Sequence, residues 1–165
     1  MKARTTAALL AALMATTFGA TADEVVRHKI PNSDFPIAQA VEVPSGKTTV
    51  YVSGAVPSVV DEKAEKGSRA AYGDTRTQTV SVFKSIEKTL AGLDLKMGDV
   101  VKMQVFLVGD PDKGGKMDFA GFMEGYTQFF GTKEQPNLPS RSVVQVAGLA
   151  SPAFLVEIEV TAVRP

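Results

Sequence analysis

Residues 154–163 read Phe-Leu-Val-Glu-Ile-Glu-Val-Thr-Ala-Val and alternate without a break. Phe154, Val156, Ile158, Val160 and Ala162 fall on one side, while Leu155, Glu157, Glu159 and Thr161 fall on the other. A period of two defines a strand with one dry face, and that face needs a second layer to cover it. Residues 99–108 repeat the pattern, with Val101, Met103, Val105 and Leu107 opposed to Lys102, Gln104 and Phe106, and read as a central strand.

The covering layer is legible in two helix-period segments. Thr79, Val82, Phe83, Ile86 and Leu90 recur at helical spacing behind Asp74, whose carboxylate suits an N-cap, so a helix is predicted over 75–91. Gly92 is placed to supply the left-handed residue that ends it. A second helix begins after Asp118 and carries Phe119, Phe122, Met123, Tyr126, Phe129 and Phe130 on one face up to Gly131. Gly121 and Gly125 share a side of it and leave room for a close neighbour. Shorter β-rich runs at 25–30, 38–43, 48–53 and 140–147 complete the set. The turn Pro44-Ser45-Gly46-Lys47 predicts a hairpin between the second and third strands, and the last two strands are joined across 148–153. Residues 57–73 are polar and charged and read as a solvated loop with room for a helical turn. The order β-β-β-α-β-α-β-β implies an α+β domain, one mixed sheet with two helices packed on one face.

The first 22 residues do not belong to that pattern. Lys2 and Arg4 precede the apolar run Ala7–Ala15, and Ala20-Thr21-Ala22 has the small-x-small form of a cleavage site. A bilayer span needs about 20 apolar residues, and this run is far shorter. The expectation is a secretory signal peptide over 1–22, cleaved after Ala22, and a periplasmic or secreted domain over 23–165. Losing Lys2 and Arg4 turns a balanced chain of 18 basic and 18 acidic residues into one with net charge −2.

Composition narrows the chemistry. There is no Cys and one His, His28, which excludes disulfides, thiolate nucleophiles, iron–sulfur ligation and multi-histidine metal sites. No metal or other cofactor is expected. Balanced charge gives no cationic track for nucleic acid, so neither nucleic acid nor, after cleavage, a membrane is an expected partner. His28 lies in a short strand and reads as structural or exposed. The Gly-rich stretch Gly109–Lys116 falls where a phosphate-binding loop would lie, but its spacing is one residue too long, Met117 stands where Ser or Thr is required, and Asp110 and Asp112 repel phosphate. It reads as a surface turn. Arg69, Tyr72 and Arg76 are interrupted by Asp74 and read as a solvated face. Arg141 opens a strand of small and β-branched residues and shares one face with Val143 and Gln145. If that strand pairs with the next in a hairpin, Glu157 and Glu159 lie on the same face. Arg141 is then either a two-pronged receptor for a small carboxylate or one half of an ion pair with Glu159.

The run Pro139-Ser-Arg-Ser-Val-Val-Gln-Val146, followed after a turn by Val156-Glu-Ile-Glu-Val-Thr-Ala-Val163, resembles the C-terminal signature of the RidA family, also called YjgF-like or L-PSP proteins. Pro36-Ile-Ala-Gln-Ala-Val41, Tyr51-Val-Ser-Gly54, Thr77-Gln-Thr79 and Gly98-Asp-Val-Val-Lys102 agree in the same order. The resemblance implies a chorismate-mutase-like α+β domain assembled as a homotrimer, with ligand clefts between subunits and the second sheet face packed at the centre. It also implies hydrolysis of reactive enamines and imines, such as 2-aminoacrylate, to 2-oxo acids and ammonia.

Carried over by position, the resemblance makes Arg141 the clamp on the substrate carboxylate and sets Glu157 near the attacking water. Ser53 and Gly54 would line the cleft. Ile37, Val143 and Met123 stand where the family has Tyr, Cys and a cleft-lining Asn. A non-catalytic binder of small carboxylates with the same fold is the second reading, and an endoribonuclease a distant third.

Overall fold

The computed structural model describes residues 24–165, so the leader expected over 1–22 lies outside the described residues. Six strands form one mixed sheet: β1 (Val26–Lys29), β2 (Ala38–Glu42), β3 (Thr49–Ala55), β4 (Val100–Val108), β5 (Ser140–Val146) and β6 (Val156–Val163). Their order across the sheet is β1-β2-β5-β4-β6-β3. β5 runs parallel to β2 and β4; the other pairs are antiparallel. One turn of helix, α1 (Arg69–Tyr72), precedes the long α2 (Thr75–Ala91), and α3 (Phe119–Tyr126) joins α2 over one face of the sheet.

Neither expected hairpin forms. β2 and β3 lie apart in the strand order, and β5 and β6 are separated by β4. The reason is burial. β4 is the most apolar strand, with Met103, Val105 and Leu107 fully buried, and placing it between β5 and β6 covers both of its edges with backbone partners.

α2 forms as its spacing predicts. Asp74 accepts a hydrogen bond from the Thr77 backbone N–H at 2.8 Å, and that N–H holds the Asp74 carboxyl below its ordinary pKa. Val82, Phe83, Ile86 and Leu90 are buried against the sheet. The helix end departs from the expectation at Gly92, which stays right-handed at φ −66°. Asp94 takes the left-handed conformation instead, at φ 57°. The Leu95 N–H then bonds the Leu90 carbonyl at 2.9 Å and the Asp94 N–H bonds Ala91 at 3.1 Å, a Schellman closure. It brings buried Leu95 into the core that holds Leu90, and that hydrophobic contact sets the stop position.

Regular helix in α3 ends at Tyr126, short of Gly131, although Phe130 beyond it is still buried. Its cap is Asp118, which accepts from the Gly121 N–H at 3.1 Å. Gly125 faces α2 so closely that a Cβ there would lie 2.7 Å from Thr79 Cβ, which gives the glycine spacing its purpose. A fully buried Gln78 ties α2 to the entry of β6. Its Nε2 donates to the Gly73 and Ala153 carbonyls at 3.0 Å, and its Oε1 accepts the Leu155 N–H at 2.7 Å.

The Arg69, Tyr72 and Arg76 group is only partly the solvated face expected of it. Arg69 donates to Asp110 at 2.8 Å and to Asp112 at 2.6 Å, and Tyr72 packs edge-on to Phe154 at 5.1 Å. These contacts pin the 57–73 segment to the loop after β4 and to the entry of β6; Arg76 alone of the three is exposed, 3.5 Å from Glu124.

Candidate functional site

Arg141 sits where β2 and β5 part. The two strands share a single pair, Ala38 with Ser140, so the outer edge of β5 is free of β2 from Arg141 onward. On its other side Arg141 pairs with Met103 of β4, whose side chain is in the core, which places Arg141 on the face covered by the helices. There its guanidinium stands over three aromatic rings: Tyr126 at 4.2 Å, Phe122 at 5.0 Å and Phe35 at 5.6 Å. Cation–π attraction to these ring faces holds the group without consuming its N–H donors.

Those donors are poorly occupied. Nη2 donates to Met123 Sδ at 3.2 Å, a weak acceptor, and Nη1 is buried with no partner. Burial lowers the Arg141 pKa, the charge-favouring contact with Tyr126 opposing it, yet a guanidinium stays protonated in proteins. Burial also pushes the Tyr126 phenol up to about 12 despite the nearby cation, so the hydroxyl is neutral and donates to the Pro36 carbonyl at 2.8 Å. A half-buried cation with one buried donor left open has the chemistry to receive an anion.

Ile37 is half-buried directly before β2, and Val143 lies two residues along β5 on the face Arg141 uses. Gln145, next on that face, accepts from the Met117 N–H at 2.9 Å and donates to the Gly115 carbonyl at 3.0 Å, which fastens the Gly109–Lys116 turn to β5. In that turn Asp110 is buried against Arg69, so its carboxylates face a guanidinium, consistent with a surface turn. His28 is exposed, 2.8 Å from Glu42.

Glu157 and Glu159 do not share the Arg141 face, which overturns the expectation based on a β5–β6 hairpin. Glu157 pairs with Phe106 and Glu159 with Gln104, both on the face of β4 opposite Met103. No ion pair joins Arg141 to Glu159 among the described residues. The insertion of β4 is the physical cause, because it sets the register of β5 and β6 independently. Glu157 instead meets Gly54: a Cβ on Gly54 would overlap the Glu157 carboxylate. Gly54 and the neighbouring Ser53 are exposed where the β3–β6 register shifts, between Val52 and Ala55. One chain therefore brings together Arg141 with Met123, and Glu157 with Gly54, as two separate groups on opposite faces of the sheet.

The sequence reading missed the aromatic seat of Arg141. Phe122 and Tyr126 were legible only as a core face, and Phe35 carried no signal beyond its place before Pro36. Among the described residues no cluster of three or more His, Cys, Asp or Glu is arranged to hold a metal ion.

The family described as Endoribonuclease L-PSP matches residues 27–164. The chain is 32% identical over 140 residues to the 2-iminobutanoate/2-iminopropanoate deaminase of Salmonella typhimurium, covering 85% of this chain and 96% of that one. It is 31% identical over 134 residues to a RutC family protein of Leuconostoc mesenteroides subsp. cremoris, covering 81% and 92%. Among solved structures it is similar to E. coli TdcF with bound serine, at 32% identity and a TM-score of 0.56, over 84% of this chain and 94% of that one. A match running nearly the length of the described residues, with relatives above 30% identity over more than four fifths of the chain, shows that this chain belongs to the Endoribonuclease L-PSP family, the YjgF/RidA proteins.

Proposed function

We propose that the protein hydrolyses reactive enamines and imines of the 2-aminoacrylate type to 2-oxo acids and ammonia. The observation that carries this is the buried, unpartnered Nη1 of Arg141, a fixed positive donor awaiting a carboxylate. The relative named 2-iminobutanoate/2-iminopropanoate deaminase and the serine-bound TdcF structure support the reading. With the carboxylate held, water adds through oxygen to the imine carbon and Glu157 accepts one of its protons. That proton passes to nitrogen and gives a carbinolamine; the remaining hydroxyl proton then moves to the amine as the C–N bond breaks, so ammonia leaves and the carbon becomes a ketone. An enamine enters this sequence as its imine tautomer, a proton adding to its terminal carbon as one leaves nitrogen. Arg141 contributes orientation and Glu157 general-base help, and no cofactor is required.

In this reading the two half-sites meet across a homotrimer, Arg141, Met123, Ile37 and Val143 of one subunit facing Ser53, Gly54 and Glu157 of the partner subunit. Support comes from the opposite-face placement of Arg141 and Glu157 and from the apolar groups on the uncovered sheet face, where Tyr51 is 81% exposed and Val144 40%. We also propose export, with the leader removed after Ala22; the N-terminal sequence of the protein recovered from a bacterial periplasm tests it.

The decisive assay generates 2-aminoacrylate in the presence of the purified protein and measures 2-oxo acid and ammonia. Accelerated release by the wild type, lost in Arg141→Ala with an unchanged circular dichroism spectrum, supports the proposal; equal release by the two overturns it. A carboxylate binder without turnover is the second reading, favoured by the Met123 thioether lying on Nη2, the second of the two donors that a two-pronged grip would use. It predicts Arg141-dependent binding with no acceleration.

A further inference from the structure

The groups surrounding Arg141 are almost entirely apolar, and this restricts what can accompany a carboxylate bound there. Phe35 is 41% exposed, unusually open for a phenylalanine, and stacks at 15° on Phe119 with ring centroids 6.5 Å apart. The Phe35 ring centre is 5.6 Å from the Arg141 guanidinium carbon, so a small molecule held by that guanidinium lies beside the ring. Met123, half-buried beside them, is unbranched and polarisable and fits its shape to whatever lies against it.

Polar groups near this surface are already engaged elsewhere. The Tyr126 hydroxyl gives its proton to the Pro36 carbonyl, the Asp118 carboxylate caps the Gly121 N–H, and Glu124, next to Met123, lies 3.5 Å from Arg76. A ligand hydroxyl or second carboxylate laid against Phe35, Phe119 and Met123 would lose its water and gain no partner from those three side chains. An aliphatic or aromatic group would cover Phe35 and gain the burial.

We infer that Phe35, Phe119 and Met123 form a subsite for apolar side chains, so that the protein selects carboxylates bearing branched aliphatic or aromatic groups over those of two or three carbons. This rests on Arg141 being the carboxylate receptor. On that basis the preferred imines are those whose products are long-chain or aromatic 2-oxo acids.

Isothermal titration of the purified protein with pyruvate, 4-methyl-2-oxopentanoate and phenylpyruvate tests the subsite without needing turnover. The two larger acids bind at least tenfold more tightly than pyruvate, and Arg141→Ala abolishes binding of all three. Phe35→Ala and Met123→Asn each reduce the phenylpyruvate-to-pyruvate preference at least threefold; both positions are at least partly exposed, so the variants keep the fold. Arg141-dependent binding in which pyruvate equals or exceeds the larger acids overturns the subsite and leaves the carboxylate clamp standing. Binding of the larger acids that survives Arg141→Ala overturns both, as does the absence of any binding.

Discussion

Arg141 and Glu157 stand on opposite faces of one sheet, because Arg141 pairs with Met103 of β4 and Glu157 with Phe106, three residues further along the same strand. Two groups proposed to act on one substrate therefore do not meet within a chain, and their cooperation requires a second copy. An isologous or cyclic assembly that sets one half-site of each subunit against the other half-site of its neighbour solves the geometry.

Complementation follows from that arrangement. Arg141→Ala and Glu157→Ala are each expected to be inactive as pure proteins. Unfolded together in equal amounts and refolded, they regenerate wild-type pairs at about a quarter of the sites, and activity returns in proportion. A mixture as inactive as its components would place both groups in one subunit's site or in none.

Gly54 offers a change that separates activity from folding. The atoms a new Cβ would meet all belong to the Glu157 side chain, whose far end is flexible and half-exposed. Gly54→Ala is expected to shift thermal stability by less than about 1 kcal/mol while displacing the carboxylate and lowering imine hydrolysis at least tenfold. Calorimetry and the 2-oxo acid assay on the same sample check both halves.

Gln78 makes three hydrogen bonds from a fully buried side chain, to Gly73, Ala153 and Leu155. Gln78→Leu fills nearly the same volume but leaves an N–H and two carbonyls without that partner, at a cost of roughly 2–4 kcal/mol in urea unfolding. Its distance in role from Arg141 means that the variant, below its melting temperature, retains carboxylate binding.

Tyr126 titrates late, its phenol held protonated by burial up to about 12 against an ordinary 10.0. The neutral form is the one the fold prefers, so the associated stability is fully present below pH 10 and is lost as pH rises through the folded value. Unfolding followed from pH 9 to 12 should show a loss of about 2–3 kcal/mol at most. Tyr126→Phe starts lower by about 1 kcal/mol, having lost the bond to Pro36, and lacks this alkaline component.

What could be read from the sequence was whatever has a local period. The alternation in β4 and β6, the helical spacing behind Asp74 and the cap at Asp118 each depend on residues within a few positions of one another, and the structure keeps them. Arg141 was singled out from its place in an otherwise apolar strand, and Glu157 and Gly54 from the family motifs. The central place of β4 was legible in its alternation, but its neighbours were not, because pairing is decided by which strands bury most when set side by side, a comparison over the whole chain. That comparison put β4 between β5 and β6, undid both expected hairpins and moved Glu157 off the Arg141 face. The stop of α2 obeyed the same logic, since Asp94 accepted a left-handed backbone so that Leu95 could reach the core. Sequence determined the elements and the faces they present; tertiary structure alone decided which faces meet, because burial is settled between segments that are distant along the chain.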